Sequence, residues 1–380
     1  MRVAVVCPGI GHIRRGFEAF AEDLFQHLRA QGRHDVALFK GGGETNSSEF
    51  VLWNIDRGSP VWRLFAGVVD PYIGEQVTFT LSLARHLKRD SFDIIHVSDC
   101  QVASLLAHLI RGQQNRPRIV YSNGGPYDPD DYRGFDFIQQ VNPVEMERAV
   151  AQGVDPTKMM LVPYGVDTDR YRPSRGTRLR NDLGIPEDIF LLLTVGSHGG
   201  HKRLEFLIAA VERITAPLRL LIVGHPSRED ATFREFAERR LGDRVSFASY
   251  PREEMPNVYG SANLYVHAAL TEGFGLALLE AMACGLPVVH HHEAGMNWLV
   301  GDGGVALSMN DPAQLSVIID SLAQDPARLS NLSGRARRRA ESFSWRSLLP
   351  LYSEMYGRAI RTAPNQSRRQ RTGVSQSRQS

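Results

Sequence analysis

Residues 271–289 read TEGFGLALLEAMACGLPVV, and the fold and the function both hang on how this stretch is read. Glu272 opens it, directly before Gly273-Phe274-Gly275. Glu280 follows eight residues later, inside an apolar run. Leu276, Leu278, Leu279, Ala281 and Met282 leave little wet face around that second carboxylate. A lone buried carboxylate costs several kcal/mol unless something pairs with it. The run is flanked by two apolar segments of strand type, NLYVHAA and LPVVHHH. The local reading is therefore strand, glycine turn, helix, strand.

The same alternation extends in both directions. Upstream of residue 160, RVAVVCPG, DVALFKGGG, DIIHVSD and RIVYSNGGP read as strands that end in turns. Between them, GFEAFAEDLFQHLRAQG, FTLSLARHLKRDSF and QVASLLAHLIRG show helical spacing. The pattern pauses at LVPYGVDTDRYRPSRG (161–176) and restarts with IFLLLTVGS, RLEFLIAAVERI and LRLLIVGH. Strand–helix alternation with glycine at the strand carboxyl ends predicts parallel sheets covered by helices. The fold class is α/β, with two Rossmann-like, doubly wound domains in tandem. Open sheets of this kind bind ligands at the carboxyl ends of their strands, and two of them face to face would form a cleft. The domains are expected at 1–170 and 171–344, followed by a closing helix at 345–360 and a basic tail at 361–380.

Composition agrees with two ordinary globular domains. Of 380 residues, 42% are hydrophobic and 23% charged. Cys7, Cys100 and Cys284 form no CxxC pair, which favours a reducing cytoplasm. No apolar run approaches a membrane span, and MRVAVVCPG reads as a first strand rather than a signal peptide. The tail holds five arginines (Arg361, Arg368, Arg369, Arg371, Arg378) and no acid, so the formal charge of +2 would be −3 without it. The folded part is thus no basic nucleic-acid binder. The tail reads as disordered, either simply solvated or a weak anchor for an anionic inner-membrane surface.

The E-x7-E spacing of Glu272 and Glu280 resembles the signature of family 4 glycosyltransferases: retaining, nucleotide-sugar-dependent enzymes of GT-B fold. LVPYGVDTDRYRP is similar to that family's linker strand. LLLTVGSHGGHKRLEFLIAAV resembles its first donor-domain strand, phosphate loop and helix, and LRLLIVGHP the strand that follows. The likeness is strong over about 160–345 and weaker over 1–160. It implies an N-terminal acceptor domain, a C-terminal nucleotide-sugar domain, and a last helix that crosses back onto the first domain. It further implies no metal and no cofactor besides the donor.

Chemistry assigns roles to particular residues. Glu280 would accept hydrogen bonds from two ribose hydroxyls, supplying the missing partner from the ligand. Glu272 would orient the donor sugar. The amides of Gly273, Phe274, Gly275 and Leu276 open a helix N-terminus suited to a diphosphate. In GSHGGHKR (196–203), Lys202 would offset charge on the leaving phosphate, helped by Arg203. Ser197 stands where the family usually has arginine. Gly9 and Gly11 lie in a Gly-rich turn that fails the dinucleotide pattern, and the resemblance places it across the cleft from the donor phosphates. His96, near the end of a strand, is a catalytic candidate. Ser98 and Asn123 replace family histidines on the acceptor side.

Three other motifs draw plainer readings. Adjacent strand residues point to opposite faces, so His290, His291 and His292 make poor joint metal ligands. Asp167-Thr168-Asp169 imitates a metal-binding motif but lies in the linker. The Arg335–Arg339 run reads as a solvated helix face.

The expected activity is retaining transfer with front-face departure and attack. The acceptor stays open between lipid, polysaccharide and small metabolite. The rival readings are a nucleotide-sugar epimerase and a homologue that binds without turnover.

Overall fold

The computed structural model describes residues 1–13, 15–113, 115–125, 127–174, 176–196, 200–224 and 230–362. Ser197 and the expected disordered tail from residue 363 on lie outside these residues. Contacts divide the chain into two units. The first comprises, of the described residues, those in Met1–Val141, Glu145–Val162 and Pro350–Thr362. The second comprises Asn142–Val144 and Pro163–Leu349.

Among the described residues the first unit holds seven strands: β1 Arg2–Cys7, β2 Asp35–Lys40, β3 Glu49–Val51, β4 Ile94–Val97, β5 Arg118–Asn123, β6 Phe137–Gln140 and β7 Met159–Leu161. They pair in the order β3-β2-β1-β4-β5-β6-β7, and every pairing is parallel. Helices cover both faces, so the central strands are apolar throughout; Val3, Ala4, Val5 and Val6 are all buried. Leu24, Phe79, Leu83, Ile95, Leu106 and Ile138 fill the core at or near zero exposure.

The second unit holds β8 Phe190–Val195, β9 Leu218–Val223, β10 Val245–Ala248, β11 Leu264–His267, β12 Val288–His291 and β13 Gly304–Leu307. Their order is β10-β9-β8-β11-β12-β13, again all parallel. Both sheets reverse their winding between the first strand and its later neighbour, at β1/β4 and at β8/β11. These switch points are where ligands settle on open α/β sheets.

Several elements differ from the sequence reading. β6 was not expected, because FIQQ offers only two apolar residues; its glutamines are nonetheless fully buried and paired. β3 and β13, of three and four residues, are short edge strands that the sequence reading did not include. The helix expected from Phe79 begins at Pro71, where Asp70 accepts from the Tyr72 amide and proline occupies the first turn. The division between units falls at Val162/Pro163 rather than 170/171. Val166 bridges Ser344, and a side chain on Gly165 would overlap the Trp345 ring, so this segment is built into the second unit. The final helix runs Trp345–Arg361 with Pro350 inside it, and Arg361 ends the helix rather than beginning a tail.

The basic run at 335–339 is not a solvated face, contrary to the sequence reading. Arg337 donates to the carbonyls of Ala283 (2.6 Å), Tyr171 (2.8 Å) and Thr168 (3.2 Å). Arg339 donates to Leu299 O (3.0 Å) and lies over the Phe343 ring. Only Arg338 of the run is exposed. These arginines satisfy carbonyls that the loops leave without partners.

Candidate active site

Two connections leave the second sheet at its switch point. The one after β8 carries Lys202. The one after β11 carries Glu272 and leads into the helix Leu276–Ala283. Gly196 lets the lysine stem lie against the backbone, since a Cβ there would come within 3.0 Å of Lys202 Cε. Lys202 Nζ donates to Glu272 Oε2 at 2.8 Å. His267, at the end of β11, brings Nε2 to 3.0 Å from the same oxygen. That ring nitrogen has no aligned hydrogen bond among the described residues, so the contact with Glu272 is close and polar rather than a well-formed bond.

Charge follows from this geometry. Burial opposes ionisation of Glu272, but the His267 contact and the Lys202 charge outweigh it and hold the carboxyl well below the usual carboxylate range. Burial pushes His267 the other way, below its ordinary value, so its ring is neutral at physiological pH. The site therefore presents one ionised carboxylate shared between an ammonium and a neutral imidazole.

Glu280 lies one helix turn and more beyond. It is half-buried and already has a protein partner: Tyr259 Oη donates to its Oε2 at 2.8 Å. The sequence reading assigned that partner to a ligand alone, and the tyrosine corrects it. Tyr259 is fully buried and packs on Tyr265, whose ring stacks in turn on His267; the centroid distances are 6.2 and 6.3 Å. A buried aromatic row thus joins the partner of Glu280 to the partner of Glu272. Neither Tyr259 nor His267 was singled out in the sequence. A histidine ending a buried strand five residues before Glu272 was a usable signal; nothing in MPNVYGS marks the tyrosine.

The turn between the two carboxylates is set by glycine. Gly275 takes φ 92° at the helix N-terminus, a left-handed conformation that disfavours any side chain. Gly273 is half-buried and Leu276 opens the helix. Phe274 was expected among donor contacts. Its ring is buried against Tyr164 and Phe343, so its side chain anchors the turn. Arg203 likewise differs from expectation. Its guanidinium donates to Met309 O at 2.5 Å and lies 4.4 Å from the Phe206 centroid. Its backbone sits at φ 51°, the one positive φ among the described non-glycine residues. Arg203 closes the turn rather than reaching outward as a helper of Lys202.

In the first unit, the strand carboxyl edge gathers Gly9, Gly11, Ser98 and Asn123. Both glycines answer to internal packing: a Cβ on Gly9 would overlap the Glu18 carboxylate, and one on Gly11 would overlap Gly42. Ser98 is buried just before Asp99, which caps the next helix. Asn123 is fully buried and donates to Gln140 Oε1 at 2.9 Å. Its own carbonyl oxygen has no hydrogen-bond partner among the described residues. Sequence reasoning passed over Glu75, which is fully buried between His12 Nε2 (2.5 Å) and the Arg57 guanidinium (2.7 Å).

His96, the third catalytic candidate, is withdrawn from chemistry by its surroundings. Tyr356 Oη meets its Nδ1 at 2.8 Å, and its Nε2 meets Gln139 Oε1 at 2.8 Å. Gln139 then donates to Val162 O and Tyr352 Oη. The ring is 2% exposed, and burial pushes its pKa down to about 4. Both nitrogens are used inside the first unit, so His96 ties β4 to β6 and to the final helix.

The triplet His290–His292 shows the divergence expected of a strand. His290 Nδ1 meets a backbone carbonyl, and His291 Nδ1 accepts from the Met309 amide. Among the described residues no three His, Cys, Asp or Glu side chains are grouped as metal ligands. Asp167 of the linker motif accepts from the Asp169 and Arg170 amides and shapes a turn.

Comparison with known proteins follows the same division. Residues 14–170 match the family model "Glycosyltransferase Family 4", and residues 176–339 match "Glycosyl transferases group 1". Both halves are glycosyltransferase-family domains. A D-inositol 3-phosphate glycosyltransferase of Geodermatophilus obscurus is 35% identical over 208 residues, 51% of this chain and 46% of that protein. A second, from Catenulispora acidiphila, is 31% identical over 223 residues, 55% of this chain and 52% of its own. The chain spans about half the length of these curated relatives. Among solved structures, sucrose-phosphate synthase of Thermosynechococcus elongatus superposes with a TM-score of 0.81 at 21% identity, covering 95% of this chain and 99% of the other. Anabaena HepE in complex with UDP-glucose gives 0.75 at 17% identity, covering 94% and 99%. At those identities the likeness speaks for the fold, which is GT-B.

Proposed function

We propose that this protein is a glycosyltransferase that moves a sugar from a nucleotide-sugar donor to a separate acceptor, with retention of anomeric configuration and without a metal ion. The observation that carries the reading is the carboxylate pair of the second unit. Glu272 is held ionised beside Lys202 and His267, and Glu280 is held by Tyr259. The family models of both halves and the names of the relatives support it.

Each group has a task in this reading. Glu280 accepts the ribose hydroxyls of the donor while Tyr259 fixes its rotamer. Glu272, ionised at any working pH, accepts hydroxyls of the sugar and orients the ring. Lys202 and the amides at the start of the helix Leu276–Ala283 stabilise the charge that grows on the departing diphosphate. The bond from the anomeric carbon to the phosphate oxygen breaks, and the acceptor oxygen bonds to the same face of that carbon. The acceptor proton passes to the leaving phosphate oxygen, so no protein nucleophile is required. The first unit, with Ser98 and Asn123 at its strand edge, receives the acceptor. Among the described residues no helix is long and apolar enough to cross a membrane, and we place the reaction in the cytoplasm.

A thermal-shift screen with UDP-, GDP-, ADP- and TDP-sugars tests this, starting with UDP-glucose, the ligand of the HepE structure. Saturation at a hundredfold excess over Kd stabilises the native state by about 2.7 kcal/mol. Glu280→Ala should abolish the shift. Turnover is then sought with inositol 3-phosphate, the acceptor named in the relatives. No shift with any donor, or an undiminished shift in Glu280→Ala, refutes the reading.

A further inference from the structure

The helix Pro71–His86 of the first unit carries an outer surface that the proposed reaction does not use. The segment before it runs back along one side. Trp62 packs over Gly74, the Ile55 amide donates to Thr78 Oγ1 (3.1 Å), and Ser82 Oγ donates to Trp53 O (2.6 Å). Contacts at 74, 78 and 82 define one covered stripe, since residues four apart share a helix face. The neighbouring stripe, Val77, Leu81 and Arg85, is open to solvent. On that stripe Leu81 is 51% exposed and Val77 39%, and in the segment before the helix Trp53, Leu64 and Val68 are also exposed. Val77, Leu81 and Arg85 recur at helical spacing, so apolar and basic side chains share one open stripe of the helix.

The carboxyl end of the same helix is strongly basic. A groove of about 480 Å³ is lined by Leu81, Arg85, Lys88, Arg89 and Leu109, with no acid in its wall. None of the three cations has an ion-pair partner among the described residues. The adjacent carboxylate, Asp90, is taken by Arg2 at 2.5 Å. Overall charge does not explain the cluster, because residues 1–360 are net acidic.

We propose that this face docks on an anionic lipid bilayer, with the helix Pro71–His86 lying in the plane of the interface. Charge complementarity selects that occupant: phosphate headgroups meet Arg85, Lys88 and Arg89, while Leu81 and Val77 dip toward the acyl boundary. Long basic side chains extend to the headgroups while their stems stay on apolar surface. Trp53 sits at the headgroup level that indole rings favour.

Co-sedimentation of the full chain with vesicles tests the proposal, using phosphatidylcholine alone and with about 30 mol% phosphatidylglycerol. Binding is expected only with the anionic lipid and should weaken as salt rises. The triple variant Arg85→Gln/Lys88→Gln/Arg89→Gln should lower the partition coefficient about a hundredfold, roughly fivefold per cation. Leu81→Ser should lower it with the charges intact, and tryptophan emission should shift to the blue on binding in wild type but not in Trp53→Phe. All these positions are exposed, so an unchanged thermal midpoint checks folding. The proposal fails if the anionic vesicles are not bound. It also fails if the triple variant binds like wild type while a chain ending at Thr362 does not, since the tail is then the anchor. Self-association in solution that Leu81→Ser abolishes would give the face to a second copy of the chain and overturn the proposal.

Discussion

Acidification should destabilise the first unit through His96, and the size of the effect follows from its surroundings. Burial lowers the pKa of the native ring from 6.5 to about 4. A histidine with a lowered folded pKa binds fewer protons native than unfolded, so stability falls as pH drops through the window between those two values. Above the upper value the cost is nil. At about pH 5 the unfolded ring is almost fully protonated and the native ring is not, which amounts to about 2 kcal/mol. Below about pH 4 the loss levels off at roughly 3 kcal/mol. The direct assay is an NMR titration of the His96 ring, assigned by its disappearance in His96→Gln. A midpoint near 4 is expected. The second arm compares urea unfolding of wild type and His96→Gln at neutral pH and at about pH 5; the wild type should lose about 2 kcal/mol more than the variant. A ring that titrates near its ordinary value, or equal acid losses in both proteins, would refute the closed network of His96, Tyr356 and Gln139. It would also return His96 to the catalytic candidates.

Three further expectations concern the second unit. Tyr259→Phe removes a charge-assisted bond without changing shape, so stability should fall by about 1.5–3 kcal/mol. A double-mutant cycle with Glu280→Gln should show that the two are coupled, and strict additivity would dissolve the pair. Gly275→Ala forces a side chain into φ 92°, where Leu278 and Leu299 already lie 3.1 and 3.2 Å from the new carbon. The backbone term alone is about 1–2 kcal/mol, read as a lower thermal midpoint with weakened donor binding. Arg337→Gln strips three backbone carbonyls of their donor and should cost about 2 kcal/mol or more in chemical denaturation. A variant as stable as wild type would restore the solvated reading of that arginine.

The carboxylate pair shows where sequence reading is strong. Glycine before a helix, an apolar run and a spacing of eight are local facts, fixed by backbone geometry. The turn at Gly275 and the helix Leu276–Ala283 follow from them directly. The charge state of the pair is not local. Glu272 meets Lys202, 70 residues away, and Glu280 meets Tyr259 from a helix whose sequence gives no hint of it. His96 and Phe274 were misread for one common reason. A strand end or a loop position suggests exposure, whereas burial depends on what later elements cover it.

The sequence by itself determined the two parallel α/β halves, the strands at their centres and the loop that carries Glu272 and Glu280. Those follow from periodicity and glycine placement, which act over a few residues and leave a trace in order alone. Tertiary structure alone decided which side chains pair. It set Tyr259 on Glu280, turned Arg203 and Arg337 onto carbonyls, sealed His96 between two strands and a returning helix, and left Arg85, Lys88 and Arg89 without acids. Pairing energy falls off within a few ångströms, and only the folded chain brings residues from distant positions that close.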